Sequence, residues 1–150
     1  MTKDTHLEMI EKHMDAIHPG HVHAFLRLLT ELRDVFQGDL DAMIVLCAVS
    51  VDVDGKGWRE TLLASKSLAR TTVKGTNTKS IAQTTRIPRE TVRRKLSAMQ
   101  EKGWIFRDAL GNWQPTSQSA QDLEPATRAT MVYMSTLLRL VQGAEAGSSG

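Results

Sequence analysis

Aromatic residues, cysteine and long apolar runs are scarce in this 150-residue chain. Phe, Trp and Tyr make up 5% of the residues, and Cys47 is the single cysteine, so no disulfide can form within the chain. No apolar run approaches the ~20 residues that a membrane-spanning helix needs. These features exclude a disulfide-stabilised fold and argue against a transmembrane helix.

Hydrophobic residues nevertheless make up 41% of the chain, which is enough for the core of one domain. The segment MIVLCAV around Cys47 is apolar, and we expect this thiol to be buried in that core. The N-terminal segment MTKDTHLEMI lacks the basic and then apolar build of a signal peptide. A cytoplasmic location is therefore expected.

No pattern for catalysis or cofactor binding is visible. The chain has no nucleophile elbow, no phosphate-binding glycine loop and no pair of acids at a catalytic spacing. His18, His21 and His23 lie in the segment HPGHVH, but their spacing matches none of the usual zinc patterns and no cysteine joins them. We expect no enzyme activity, no cofactor and no metal, with a histidine metal site as the minor alternative.

Positive charge is concentrated in one part of the chain. The whole chain has a formal charge of +2, from 19 basic and 17 acidic residues. The segment Arg70 to Arg107 contains ten Lys or Arg residues and two Glu residues, a balance of +8, so the rest of the chain carries −6. A basic segment between acidic flanks indicates a polyanionic partner at one place, although basic faces are often only solvated.

Three helices are predicted in the first third of the chain. Apolar spacing favours a helix over residues 7–17, which the sequence HPG is expected to end. A second helix is predicted from His21 to Phe36, and a third begins after Asp39, a good N-cap residue. The third helix is apolar nearly all round, which is typical of an enclosed helix. Residues 52–77 give a blurred pattern, for which a helix and a short extended piece are expected.

The segment TNTKSIAQTTRIPRETVRRKLSAMQEKGW contains two predicted helices joined by a short turn. The first runs from about Asn77 to Thr85, with Ile81 directed inward. The second starts near Pro88, whose fixed φ suits a first turn, and ends at Gly103, a favoured residue after a helix. The inward stripe of the second helix consists of Val92, Leu96 and Met99. This arrangement is a helix-turn-helix.

The outward face of the second helix is strongly charged. A rotation of ~100° per residue places Glu90, Arg94 and Ser97 away from the core, with Thr91 and Arg93 beside them. In a helix that enters DNA, the first turn usually reaches base edges. Arginine matches guanine O6 and N7, and glutamate accepts from cytosine N4. Glu90 therefore meets a base, orients a neighbouring arginine, or only complements the helix dipole.

Two short extended pieces follow in WIFRDALGNWQPT. The turn-like DALGN lies between them, so a β-hairpin is predicted directly after the basic helix. In a winged arrangement such a hairpin lies along the DNA backbone, which makes Arg107 and Asn112 candidates for phosphate or minor-groove contact. The alternative is a hairpin that only covers the core with Trp104 and Trp113.

The segment SIAQTTRIPRETVRRKLSAMQEKGWI resembles the winged helix-turn-helix transcription regulators, particularly the GntR-like and MarR-like groups. The resemblance covers residues 76–116, about a quarter of the chain. It implies a mainly α winged helix-turn-helix with a short hairpin wing, to which the apolar spacing of this chain adds N- and C-terminal helices. In the GntR-like group, residues at the positions of Arg89, Glu90, Thr91 and Arg93 meet DNA. The long N-terminal helices and the lack of a large C-terminal effector domain depart from these groups, which leaves a small-molecule effector open.

Apolar stripes at both ends of the chain predict a homodimer. A further helix is expected after TSQSAQD, with the stripe Leu123, Ala126, Met131, Met134, Leu138 and Val141. It is similar to the dimerisation arms of MarR-like proteins, and such a stripe needs a partner surface. Residues 1–38 and 117–143 are therefore predicted dimerisation arms, 39–116 the DNA-binding domain, and 144–150 a disordered tail. The alternative is that the C-terminal helix folds back on its own chain.

The sequence thus predicts a transcription regulator that binds double-stranded DNA sequence-specifically as a homodimer. Basic residues would neutralise phosphates, while the first turn of the helix at 88–102 reads bases in the major groove. The residues expected to contact DNA are Arg89, Glu90, Thr91, Arg93, Arg94, Lys95, Arg107 and Asn112. Lys95 at the flank and Arg107 in the wing are assigned to phosphates. Two alternatives stay open, a protein-interaction or assembly module and a DNA-binding protein of replication or partition.

Overall fold

The structure is a computed structural model that describes residues 4–51 and 76–148. This part of the chain is mainly helical, which confirms the predicted class. The helices are α1 (Thr5–Lys12), α2 (Met14–Val35), α3 (Leu40–Ser50), α4 (Thr78–Thr85), α5 (Arg89–Glu101), α6 (Ser117–Asp122) and α7 (Glu124–Gly147). The strands β1 (Ile105–Arg107) and β2 (Trp113–Pro115) form an antiparallel hairpin. The prediction for residues 52–77 falls almost wholly outside the described residues.

The chain forms two compact units, Met1–Leu32 with Arg128–Gly150, and Arg33–Thr127. The second unit contains α3, α4, α5 and the hairpin. Asp39 caps α3 as predicted, because its carboxylate accepts a hydrogen bond of 2.9 Å from the backbone N–H of Ala42. The apolar core of this unit includes Val45, Leu46, Val49, Ile81, Val92, Leu96 and Met99. The predicted inward stripe of α5 is therefore confirmed.

Cys47 lies on the exposed side of α3, so the prediction that its thiol is buried is wrong. The buried residues of α3 include Val45 and Val49, four positions apart on one face of the helix. Cys47 lies halfway between them, and a rotation of ~200° from Val45 turns it to the opposite side. Because α3 is apolar nearly all round, its sequence alone did not show which face the neighbouring helices cover.

The turn between α4 and α5 is fixed by its backbone conformation. Arg86 adopts the left-handed region with φ 59°, and its N–H donates to the carbonyl of Ala82 at 3.0 Å, which closes α4. Ile87 is buried after the turn. Pro88 is the N-cap of α5, one position earlier than its predicted place in the first turn.

Gly103 ends α5 and leads the chain into the hairpin. Its φ of 76° lies in the left-handed region, which glycine adopts without strain. The N–H of Gly103 donates to the carbonyl of Gln100, and the N–H of Trp104 donates to the carbonyl of Met99. These two hydrogen bonds are the Schellman pattern of a helix end. Trp104 and Trp113 are both buried, so the hairpin does cover the core, while Arg107 of β1 remains exposed.

In the other unit, α2 runs through Pro19 and Gly20, so the predicted helix end at HPG is wrong. The break falls earlier, between α1 and α2 at His13. Pro19 lies inside α2, where it removes one helical hydrogen bond without ending the helix. A Cβ on Gly20 would lie 2.7 Å from a methyl group of Leu140, so the glycine permits close approach of α7 within this unit.

Apolar side chains are incompletely covered in the unit formed by Met1–Leu32 and Arg128–Gly150. His21, Phe25 and Tyr133 form an aromatic cluster with ring centroids 5.5 to 6.0 Å apart. The exposed large apolar side chains of this unit are Leu7, Met14, Val22, Phe25, Leu26, Leu29, Met131, Val132, Met134 and Leu138. Among the described residues, no helix is long and apolar enough to cross a membrane.

The end of α7 differs from the expected disordered tail. The helix continues to Gly147, so residues 144–147 are helical. Ala144 and Ala146 favour this continuation, because alanine is the strongest helix former and here alternates with Glu145.

Candidate nucleic-acid interface

A groove lies between α5 and the hairpin, with a volume of about 670 Å³. It is lined by Thr78, Arg89, Glu90, Arg93, Leu96, Ser97, Gln100, Arg107 and Trp113. Leu96 and Trp113 are buried side chains of the core, so they contribute apolar surface to the groove. Three guanidinium groups and one carboxylate thus lie together around a groove whose floor is apolar.

Glu90 holds the Arg93 guanidinium from one side. Arg93 Nε donates to one carboxylate oxygen at 2.9 Å, and Nη2 donates to the other at 2.5 Å. The hydrogen bonding from Arg93 holds the pKa of Glu90 below its usual value, against slight desolvation and with help from the charges of Arg93 and Arg94. The same hydrogen bonding raises the pKa of Arg93. This geometry is that of an orienting carboxylate, one of the roles that the sequence left open for Glu90.

Arg107 and Arg89 lie on different edges of the groove. The guanidinium carbon of Arg107 is 5.1 Å from the ring centroid of Trp113, its partner across the hairpin. This stacking restrains the plane of the guanidinium group. Arg89 is the first residue of α5, and the N-terminal end of a helix also favours an anion through its backbone N–H groups.

Asp108 organises the turn of the hairpin. One carboxylate oxygen accepts from the backbone N–H groups of Leu110 and Asn112 at 2.9 Å each, and the other accepts from Gln114 Nε2 at 3.3 Å. The hydrogen bond from Asn112 holds the pKa of Asp108 below its usual value, against desolvation and with the help of Gln114 and Leu110. Asn112 is half-buried in this turn and is not one of the groove residues.

Lys95 is engaged with α3. Its ammonium donates to Asp39 Oδ2 at 2.7 Å, and the two side chains are 27% and 38% exposed. Burial opposes the ionisation of Asp39, but hydrogen bonds from Lys95 and Ala42, together with the charges of Lys95 and Lys102, hold its pKa below the usual value. The pair links the N-cap of α3 to the middle of α5. The predicted phosphate contact of Lys95 would require this pair to open.

Four of the eight residues predicted to contact DNA line the groove, namely Arg89, Glu90, Arg93 and Arg107. Arg94 is exposed elsewhere on α5, and Thr91 is half-buried. The residues predicted from the sequence did not include Gln100, although Gln100 follows Ser97 by three positions and Arg93 by seven, which is helical spacing on one face. They also did not include Thr78, the first residue of α4, for which no local signal existed.

No protein-family model, curated protein or solved structure matches the chain. Within residues 4–51 and 76–148, no group of three or more His, Cys, Asp or Glu side chains is placed to hold a metal ion. The groove itself is rich in N–H donors. Guanidinium groups of this kind bind phosphate oxygens and the acceptor edges of bases with paired hydrogen bonds.

Proposed function

We propose that this protein is a transcription regulator that binds double-stranded DNA sequence-specifically as a homodimer, and that its Arg33–Thr127 unit is a winged helix-turn-helix. In this proposal α4 and α5 form the helix-turn-helix, α5 is the recognition helix and the β1–β2 hairpin is the wing. The order of elements supports it, because a short helix, a left-handed turn at Arg86, a basic helix and a hairpin follow one another. The resemblance to GntR-like and MarR-like regulators supports the same assignment.

The observation that carries the proposal is the arginine-lined groove between α5 and the hairpin. In a winged helix bound to DNA, the recognition helix enters the major groove while the wing follows the sugar–phosphate backbone. Arg107 would then bind a phosphate of the backbone, while Arg89 and Arg93 would reach base edges. The stacking of Arg107 on Trp113 restrains its guanidinium before DNA arrives, which lowers the entropy lost on binding.

The packing of α5 also suits a recognition helix. Val92, Leu96 and Met99 are at most 2% exposed, so one face of the helix is fixed on the core. Arg89 and Arg93 lie beside this buried stripe, on the flank of α5 that lines the groove, and both side chains are exposed. Side chains on a firmly packed helix keep their spacing when they meet the ligand, which is a condition for reading a sequence of bases.

The homodimer is proposed from the apolar surface of the unit formed by Met1–Leu32 and Arg128–Gly150. Val22, Leu26 and Leu29 of α2 are 50%, 62% and 44% exposed, and their spacing of four and three places them on one helix face. Exposed apolar faces favour a partner surface, and a second copy supplies an equal one through a two-fold axis. Two recognition helices would then address half-sites about one helical turn, ~34 Å, apart.

Selection of bound duplexes from a random DNA pool tests the proposal. We expect the wild-type protein to enrich a palindromic motif whose half-sites have this spacing. Arg93→Gln should abolish the enrichment. Arg33→Gln is the matched control, because Arg33 is ion-paired with its neighbour Asp34 and does not line the groove. Equal binding of all duplexes would contradict sequence-specific recognition, and no DNA binding at all would favour the protein-interaction alternative.

A further inference from the structure

We propose that Glu90 is a positioning residue that sets the base preference of the groove by holding Arg93 in one orientation. The inference rests on the proposed DNA-binding function and goes beyond it. An acidic side chain on a DNA-facing helix weakens the attraction to phosphates, so its presence beside three arginines needs a physical reason. The structure supplies one in the two-point contact between Glu90 and Arg93.

The carboxylate of Glu90 occupies one side of the guanidinium fork. It accepts one hydrogen bond from Nε and one from Nη2 of Arg93. A guanidinium group has five N–H donors, so two remain on Nη1 and one on Nη2. One donor of Nη1 and the remaining donor of Nη2 point outward in parallel, and such a pair matches O6 and N7 of guanine. Adenine presents a donor in place of O6 and would be rejected.

The orientation of Arg93 depends on this contact because little else covers the side chain. Arg93 and Glu90 are 60% and 67% exposed, and they lie three residues apart on the same face of α5. An exposed arginine on its own samples many rotamers, and each base contact would have to overcome that freedom. Glu90 lies in the first turn of α5, where the helix dipole favours its negative charge.

The same pair limits binding to the wrong sequence. A lone arginine binds any phosphate, whereas an arginine already paired with a carboxylate brings little net charge to the DNA backbone. The outer edge of Arg93 is then satisfied only by an acceptor pair such as that of guanine. Glu90 would therefore strengthen recognition of the right base and weaken the attraction to all other sites, and specificity is the difference between the two.

Glu90→Gln tests the inference, because glutamine has nearly the same size and lacks the charge. The probes are the selected duplex, the same duplex with single guanines replaced by 7-deazaguanine, which lacks N7, and a scrambled duplex. We expect the wild-type protein to lose affinity at one replaced guanine. In Glu90→Gln, the ratio of the affinities for the guanine and 7-deazaguanine duplexes should fall by ~5-fold or more. The same variant should bind the scrambled duplex more tightly, with a salt slope steeper by about one unit.

Glu101→Gln is the matched control for charge. Glu101 is exposed at the last position of α5 and does not line the groove, so its replacement removes the same charge from the same helix. We expect it to leave the discrimination against 7-deazaguanine at the wild-type level. Arg93→Lys is the second test, because lysine keeps the charge but has no fork. It should lose the discrimination while its binding to the scrambled duplex stays similar.

The outcomes separate this inference from the proposed function. A Glu90→Gln protein that keeps the wild-type discrimination would overturn the positioning role alone, and so would a wild-type protein that enriches a motif but tolerates 7-deazaguanine at every position. A wild-type protein that enriches no motif would overturn both proposals. Thermal unfolding of each variant should match the wild type, since the replaced side chains are exposed, and so altered binding would not reflect loss of the fold.

Discussion

Replacement of Lys95 by methionine tests whether this residue stabilises the fold or contacts DNA. Methionine keeps much of the apolar stem and removes the ammonium, so Asp39 loses the ion pair at 2.7 Å but keeps the hydrogen bond from Ala42. Fully exposed ion pairs contribute roughly 0.2–1 kcal/mol. Because Lys95 and Asp39 are only 27% and 38% exposed, we expect Lys95→Met to lower the free energy of unfolding by about 1 kcal/mol, the upper end of that range.

Two replacements of Asp39 separate the ion pair from the helix cap. Asp39→Asn keeps a good N-cap and removes the charge, so it should cost about as much as Lys95→Met. Asp39→Ala also removes the cap of α3 and should cost a further ~1 kcal/mol. In urea unfolding, Lys95→Met should have little effect in the Asp39→Asn background, because the pair is already absent there.

The pH dependence of this stabilisation follows from the direction of the shift at Asp39. Its pKa in the folded protein lies below the usual value, so the unfolded chain takes up a proton first as the pH falls. The contribution is therefore complete above the unfolded pKa and is lost as the pH falls through the folded pKa. The difference in stability between wild type and Lys95→Met should stay constant from about pH 8 to about pH 5 and shrink in stronger acid.

Duplex binding distinguishes an ion pair with Asp39 from a phosphate contact of Lys95. If Lys95 is held by Asp39, Lys95→Met should bind the selected duplex with nearly the wild-type salt dependence. If instead unfolding is unchanged and the salt slope falls by about one unit, the ammonium contacts a phosphate in the complex. The phosphate role predicted from the sequence would then be right, and the pair with Asp39 would be incidental.

Three further predictions concern the groove and the dimer. In anisotropy titrations, Arg93→Ala or Arg89→Ala should weaken binding to the selected duplex about 5- to 150-fold and binding to random duplex much less. Equal losses on both duplexes would mean that these residues supply charge alone. Arg107→Gln should weaken all duplexes alike and reduce the salt slope by about one unit, so a loss confined to the selected duplex would contradict a phosphate contact. Light scattering at micromolar concentration should give twice the chain mass of 16.6 kDa, with Leu138→Glu shifted toward monomer, and a wild-type monomer would refute the dimer.

The elements around the groove were predictable because their local signals agree. Asn77 caps α4, Pro88 precedes α5 and Gly103 ends it, and each of these residues has a conformational preference that acts over a few positions. The apolar stripe of α5 has the same period as the helix that these signals define. When capping, breaking and periodicity indicate the same boundaries, tertiary contacts have little to override.

The pairings of individual side chains were less predictable, because they depend on distant parts of the chain. Lys95 lies 56 positions after Asp39, and no local pattern connects an outward lysine with a helix cap so far away. The same limit applies to Cys47, since only the neighbouring elements decide which side of an apolar helix is covered. Pro19 shows a related limit, because a proline removes one hydrogen bond from a helix but does not by itself decide whether the helix ends there.

The acidic residues near the groove show why a count of charges was insufficient to predict specificity. The balance of +8 between Arg70 and Arg107 indicates affinity for a polyanion, and added acids would only reduce it. Asp39, Glu90 and Asp108, however, each accept hydrogen bonds that restrain another part of the unit, namely Lys95, Arg93 and the hairpin turn. A restrained arginine presents its donors in one direction, and a sequence of bases is read by the direction of donors rather than by their charge. In the proposed complex the acids would therefore lower the affinity for DNA in general and raise the preference for one sequence.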